Sequence, residues 1–257
     1  MVDFKRIIPR DLRNLIRKEE FTKETTGAAL DYAQANLVIL PKEYALDFLV
    51  FTQRNPKACP VLEITDPGNP EPKNVAPGAD LRTDLPLYRI YRDGAMVEEV
   101  PNITKYWKED LMGFLLGCSY TFENALIKAG IPVRHIDENH NDPMYITNIE
   151  CKPAGMFKGP MVVSMRPILP SQVIKAVEVT SRFPKFHGSP VHIGDPSEIG
   201  IEDLNNVDYG EASTVNPGEV PVFWACGVTP QAVAIKAGIS FMITHSPGHM
   251  FVLDMPE

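Results

Sequence analysis

Apolar residues recur at helical spacing in two early segments: residues 9–20 carry Leu12, Leu15 and Ile16, and residues 42–54 carry Tyr44, Leu46, Phe48, Leu49 and Phe51. Both read as helices that cover a sheet. A loop-rich stretch follows, with Pro67, Gly68, Pro70, Pro72, Pro77 and Gly78 close together, and residues 87–100 then read as a hairpin turning at Asp93-Gly94. From residue 114 onward, apolar runs end abruptly in small or polar residues and pass into helical patterns. Phe114-Leu115-Leu116-Gly117-Cys118-Ser119 leads into a helix over 121–129, and Val222-Phe223-Trp224-Ala225-Cys226-Gly227 into one over 229–237. Phe241-Met242-Ile243-Thr244-His245 reads as a further strand, and this β-α-β order predicts a parallel sheet. Between these units, residues 144–166 read as two strands and residues 171–182 as a helix with Val173, Ile174, Val177 and Val179 on its apolar side.

The two strand-helix stretches are copies of each other. Moving Cys118–Ile131 forward by 108 residues onto Cys226–Ile239 leaves seven of fourteen positions identical, among them the Cys, the helix-start Thr (Thr121, Thr229) and the helix-end Gly (Gly130, Gly238). Thr at a helix start suggests a cap, Pro230 suits a first helical turn, and the glycines suit a left-handed stop. The expected fold is therefore α/β: a pseudo-duplicated, mostly parallel sheet sandwiched by helices in three layers. It would be built from residues 1–140 and 189–257, with the internal repeat at 114–131 and 222–239 and a smaller two-layer α+β insert at 141–188.

Composition narrows the partners. The 33 acidic residues outnumber the 25 basic ones for a formal net charge of -8, and the basic residues are scattered, which argues against nucleic acid. No apolar run approaches the roughly 18 residues that cross a bilayer, and Met1-Val2-Asp3-Phe4-Lys5-Arg6 lacks the apolar stretch of a signal peptide, so a cytoplasmic location is expected. Cys59, Cys118, Cys151 and Cys226 stand far apart, without Cys-x-x-Cys spacing, and read as reduced thiols. The expected partner is a small carboxylic or amino acid, with no membrane, and the assembly allowed for is a homodimer.

Strand C-termini that meet helix N-termini gather backbone amides and side chains around an anionic ligand. Glycine-flanked segments of this kind carry Cys118 and Ser119; His192, Gly194 and Asp195; Cys226 and Gly227; and His245 with His249. A single cysteine is more often a small buried hydrophobe than a nucleophile, but a thiol just before a helix N-terminus feels a dipole that favours thiolate. His135 and His140 stand outside these segments and read as core or loop residues, whereas His187, His192, His245 and His249 are candidates. His245 and His249 have the spacing of two ligands on one helix face, but Pro247 and Gly248 deny a helix. No cofactor is therefore expected, with a metal at His245 and His249 as the minor alternative. Asp195 reads either as a turn former before Pro196 or as a base.

At these residues the chain resembles the D-glutamate cyclase-like family of hydro-lyases. The resemblance is carried by Gly117-Cys118-Ser119-Tyr120-Thr121-Phe122-Glu123, Gly130-Ile131-Pro132-Val133-Arg134-His135, Met161-Val162-Val163-Ser164-Met165-Arg166-Pro167, the run from His187 to Pro196, the run from Pro221 to Gln231, and Thr244-His245-Ser246-Pro247-Gly248-His249-Met250. Together these span residues 114–254, and the N-terminal half adds only a compatible length. One departure is Ile146, where the resemblance leads one to expect a basic residue that could help to hold a carboxylate.

The resemblance implies that D-glutamate closes to 5-oxo-D-proline with loss of water, or the reverse. Such a reaction needs a carboxylate clamp, a base for the ammonium proton, donors for the oxyanion and an acid for the departing hydroxide. Arg166 or the amides after Cys226 would be the clamp, Asp195 or His192 the base, and His245 or Cys226 the acid, with Cys118 as the repeat-related thiol. Ser119, Asn148, Gly194, Gly227, Thr229 and His249 complete the expected substrate-binding set. Two other classes compete: acyl transfer or amide hydrolysis through a Cys226 thioester, and non-catalytic binding of a small carboxylic acid.

Overall fold

A computed structural model describes residues 3–256. In chain order the elements are α1 (Pro9–Arg17), β1 (Tyr32–Pro41), α2 (Lys42–Arg54), β2 (Val61–Ile64), β3 (Tyr88–Arg92), β4 (Ala95–Val100), β5 (Leu111–Gly117), α3 (Tyr120–Lys128), α4 (Arg134–Glu138), β6 (Met144–Glu150), β7 (Pro160–Ile168), α5 (Val173–Thr180), β8 (His192–Ile193), β9 (Val220–Ala225), α6 (Val228–Lys236), β10 (Phe241–His245) and β11 (Phe251–Pro256). The hairpin forms where the sequence placed it, β3 and β4 turning through Asp93 and Gly94 at φ 49° and 77°. A tight turn with two positive φ values matches the twist of the strands it joins.

The architecture is mixed α/β, but the parallel sheet expected from the sequence is not what forms. One sheet runs β2-β5-β1-β10-β3-β4 with β11 also on β1, the other runs β6-β7-β9-β8, and every pairing in both is antiparallel. The reason lies in where the helices lead. After β9 the chain passes through α6 and enters β10, which belongs to the other sheet. A β-α-β unit makes a parallel pair only when both strands join the same sheet.

The strand that organises the first sheet is β1, which interrupts the first fifty residues, where the sequence predicts helices alone. It pairs with β5 along one side and with β10 and β11 end to end along the other. Its side chains are buried on both faces. Leu37 and Ile39 pack with Leu115, Ile243 and Phe251, whereas Val38 and Leu40 pack with Phe48, Phe114 and Met242. In the second sheet one face buries Val222, Trp224 and Ile168 against Phe122 and Leu126 of α3 and Ala176 of α5.

The two copies are related by an exchange between sheets. Helix α3 leaves the first sheet and packs on the second, while α6 leaves the second and packs Val233 and Ala234 against Val38 and Met242 of the first. At each crossing the same bonds recur. The Cys118 amide donates to the Gln34 carbonyl at 3.2 Å and the Gln34 amide donates to Thr121 Oγ1 at 3.1 Å. Likewise the Cys226 amide donates to the Val162 carbonyl at 2.9 Å and the Val162 amide donates to Thr229 Oγ1 at 3.0 Å. Neither threonine caps its own helix as the sequence suggested. Each instead satisfies a buried amide on the strand beside its own, a group that would be costly to leave unpaired. Gly130 and Gly238 end the helices at φ 79° and 64°, the left-handed stop that their positions predicted.

Candidate active site

The exchange brings the strand tips of both copies to one place on β1. Asn36 donates from Nδ2 to the Gly117 carbonyl at 2.9 Å, and its side-chain amide lies so close to Gly227 that a Cβ there would overlap it. Cys118 and Cys226, one residue beyond and one residue before these glycines, are buried and unbridged. The Tyr120 amide points at the Cys118 sulfur, and the amides of Val228 and Gly227 point at that of Cys226. This is the arrangement in which a helix N-terminus favours thiolate, but here burial wins. It pushes Cys118 well above the usual thiol range and Cys226 up to about 12, with the Asp142 carboxylate adding to the rise at both. Both groups are thiols at neutral pH, against the thiolate that their positions suggested.

Beside the tips lies a buried ionic network that sequence reasoning did not assemble. Arg166, 1% exposed, bonds Glu123 through Nε and Nη2, Ser164 Oγ through Nη1 at 3.0 Å and Ser119 Oγ through Nη2 at 3.1 Å. Its guanidinium lies 5.3 and 5.5 Å from the ring centres of Phe122 and Trp224. A second carboxylate, Asp142, comes within 3.7 Å of Arg166 and accepts from the Tyr120 hydroxyl at 3.1 Å. His135, also buried, places Nε2 3.2 Å from Glu123 Oε1. Burial alone would raise the Glu123 carboxyl, but His135 and Arg166 outweigh it and hold it below its ordinary value. Arg166 thus spends its donors on groups of the protein itself, so its expected role as a substrate clamp is already filled by Glu123.

The remaining candidates fall in two places. His245 ends β10 with Nδ1 on the Leu37 backbone, the Leu37 amide donating to it at 3.2 Å. Burial depresses its imidazole to about 4 and leaves it neutral. His249 Nδ1 meets the Pro247 carbonyl at 2.8 Å, and among the described residues no three His, Cys, Asp or Glu side chains converge as a metal-binding set. His187, buried in a loop against Gly117, is likewise depressed to about 4, chiefly by burial.

Asp195, His192, Gly194 and Asn148 gather instead at the outer part of the second sheet. His192 lies on Phe223, on the face away from Trp224, with Nε2 2.7 Å from the Asp195 carbonyl. The Asp195 carboxylate accepts the Ser197 amide at 2.9 Å and is held low by that bond, Gly194 donates to the Pro221 carbonyl, and Asn148 reaches the Glu198 carbonyl at 3.5 Å. None of the four hydrogen-bonds to the tip cluster. Ile146 is exposed on the same side of β6 as Met144, whose sulfur lies 3.4 Å from that of Cys226.

Four residues of the cluster were missed or given no role: Asn36, Tyr120, Glu123 and Asp142. Glu123 left a trace, because the repeat aligns it with Gln231, which bonds Thr244 at 2.8 Å from the matching turn of the other helix. Asp142 left none, since Asn-Asp-Pro reads as an ordinary turn. Taken together, the cluster offers two carboxylates, two protonated thiols and helix-end amides within one buried neighbourhood. Those are the parts needed to move protons to and from a reacting acid.

Comparison with known proteins agrees with the motifs. A family model described as D-glutamate cyclase matches residues 112–254. A protein of Thermoanaerobacter sp. (strain X514) is 60% identical over 256 residues, covering all of this chain and 97% of its own length. A second, from Geobacillus kaustophilus, is 61% identical over 96% of this chain and 94% of its own, and a third, from Psychrobacter arcticus, is 58% identical over 99% and 97%. All three carry the name "Putative hydro-lyase". The solved structure of a nitrogen repressor-like protein from Methanococcus jannaschii is 14% identical over 91% of each chain with a TM-score of 0.41, too slight a likeness to bear on the fold. The matched span contains both repeat copies, both thiols, Glu123, Asp142 and Arg166, and with near-complete coverage of its relatives the chain belongs to the D-glutamate cyclase family.

Proposed function

We propose that this protein removes water from a glutamate-like amino acid, closing D-glutamate to 5-oxo-D-proline, or runs the same step in reverse. The observation that carries this reading is the meeting of both strand tips at Asn36, with Tyr120, packed on Cys118, donating its hydroxyl to the Asp142 carboxylate at 3.1 Å. Asp142 takes the proton from the substrate ammonium, and the freed amine attacks the γ-carboxyl carbon. One C–N bond forms, the nitrogen passes one of its two remaining protons to one γ-carboxylate oxygen, which becomes the leaving hydroxyl, and the other oxygen carries the negative charge of the tetrahedral intermediate. The amides of Gly227 and Val228 stabilise that charge. Collapse breaks one C–O bond, and the departing hydroxide takes the Cys226 proton and leaves as water. Asp142 then returns its proton to the sulfur, so the enzyme ends as it began.

Physical chemistry favours this assignment over the alternatives. A thioester route needs a thiolate, and burial keeps Cys226 protonated, the state suited to an acid. His245 is neutral and so is a poor acid, while Asp195 and His192 make no hydrogen bond to the cluster. Holding the flexible substrate with its amine against its own γ-carboxyl contributes up to about 7 to 11 kcal/mol through orientation alone. The test is incubation with D-glutamate, L-glutamate and both 5-oxoprolines followed by mass spectrometry. Loss or gain of one water by one enantiomeric pair supports the reading, and no change in any of the four refutes it.

A further inference from the structure

Residues before 112 lie outside the matched span, yet they wall much of a cavity of about 750 Å³ that meets the ionic network at His135. Lys5, Lys23, Glu24 and Thr26 line it from the N-terminal segment, and His135 and His249 from the matched region. We propose that the N-terminal segment supplies the recognition half of the active site, Lys23 holding a carboxylate and Glu24 the ammonium of an amino-acid zwitterion.

Two buried polar atoms at this cavity, His135 Nε2 and Thr26 Oγ1, lack the hydrogen-bond partners that buried polar atoms normally have. His135 is 1% exposed, and its Nε2, though 3.2 Å from Glu123, lacks the alignment of a hydrogen bond. Thr26 Oγ1 is buried without a hydrogen-bond partner. Lys23 is exposed at the cavity, with Nζ 5.2 and 5.6 Å from the ring centres of Phe4 and Phe21, and forms no ion pair among the described residues. Glu24 accepts the Asn141 amide on Oε1 at 2.6 Å and has no cationic partner among the described residues. Adjacent charges of opposite sign, each without an ionic partner and both lining one cavity, match a ligand that carries both signs. A simple anion would face Glu24, and a simple cation would face Lys23.

The cavity is joined to the proposed reacting groups by short steps. His135 stacks on Tyr120 with ring centres 6.2 Å apart, and the Tyr120 hydroxyl reaches both Asn141, at 3.3 Å, and Asp142, at 3.1 Å. Asn141 is also the residue that holds Glu24. The assignment rests on the hydro-lyase reading for the identity of the amino acid, and adds where that acid is recognised.

Steady-state kinetics of the full chain with D-glutamate test it, using Lys23→Met, Glu24→Gln and the conservative Lys23→Arg, each checked for an unchanged melting temperature. The expected result is a KM raised about tenfold or more in the first two with kcat within about twofold, and recovery of most of the affinity by Lys23→Arg. An unchanged KM in folded Lys23→Met and Glu24→Gln, with wild-type protein active, overturns N-terminal recognition and leaves the hydro-lyase reading standing. Wild-type protein that neither binds nor converts D-glutamate overturns both.

Discussion

Cys118 and Cys226 show how far a residue can be read from its place in a sequence. Their positions at strand ends before helices were legible, and so was their pairing through the repeat, but their ionisation was not. That depends on desolvation by β6, β7, Tyr120 and the loop around Met250, which no local pattern encodes. The consequence is measurable: iodoacetamide at neutral pH should leave all four cysteines of the folded protein unmodified and label all four in denaturant, as mass spectrometry would record. Rapid labelling of Cys226 in folded protein would contradict the protonated, enclosed thiol. For turnover, Cys226→Ala should lower kcat by about 10²-fold or more as the loss of a proton donor, with a smaller effect for Cys118→Ala. Equal losses would remove the distinction between the copies. Arg166→Met removes the guanidinium shared by the buried carboxylates of Glu123 and Asp142, so urea denaturation should show a loss of about 3 to 5 kcal/mol.

Helices were the most legible elements. The helix over 42–54 and the strand over 241–245 form with the predicted bounds, because amphipathic spacing and turn residues fix them locally. Strand β1 was not legible: a run of Ala35, Leu37, Val38, Ile39 and Leu40 buried on both faces has no alternation to betray a strand. Strand direction was misread for a related reason, since a strand-helix-strand order does not say whether the second strand returns to the same sheet. The repeat itself was legible, and the structure gives its threonines a job at element scale. Thr121→Val and Thr229→Val each leave a buried strand amide unpaired, so each should cost about 1 to 3 kcal/mol in urea denaturation. A loss confined to one of them would show that only one crossing depends on its staple.

At the scale of the molecule, burial of ionisable groups ties stability to pH. His187 and His245 are both depressed to about 4, so below about 6.5 the unfolded chain takes up protons that the folded chain refuses. Their contribution is complete above pH 6.5 and declines as pH falls toward 4, by about 3 kcal/mol for each histidine. Glu123, held below its ordinary value, adds a further loss as pH falls through the carboxylate range. Denaturant midpoints measured from pH 7.5 down to 4.5 should therefore fall steadily, whereas a flat profile would contradict the buried neutral histidines.

The whole fold also sets the site, because two sheets exchange helices so that both copies end around Asn36 and Asp142. The most direct test of that arrangement is kcat for D-glutamate in Asp142→Asn protein that melts like the wild type. A loss of about 10²- to 10⁴-fold is predicted for removal of the base, and turnover equal to wild type would contradict a reactive centre at the meeting of the two strand tips.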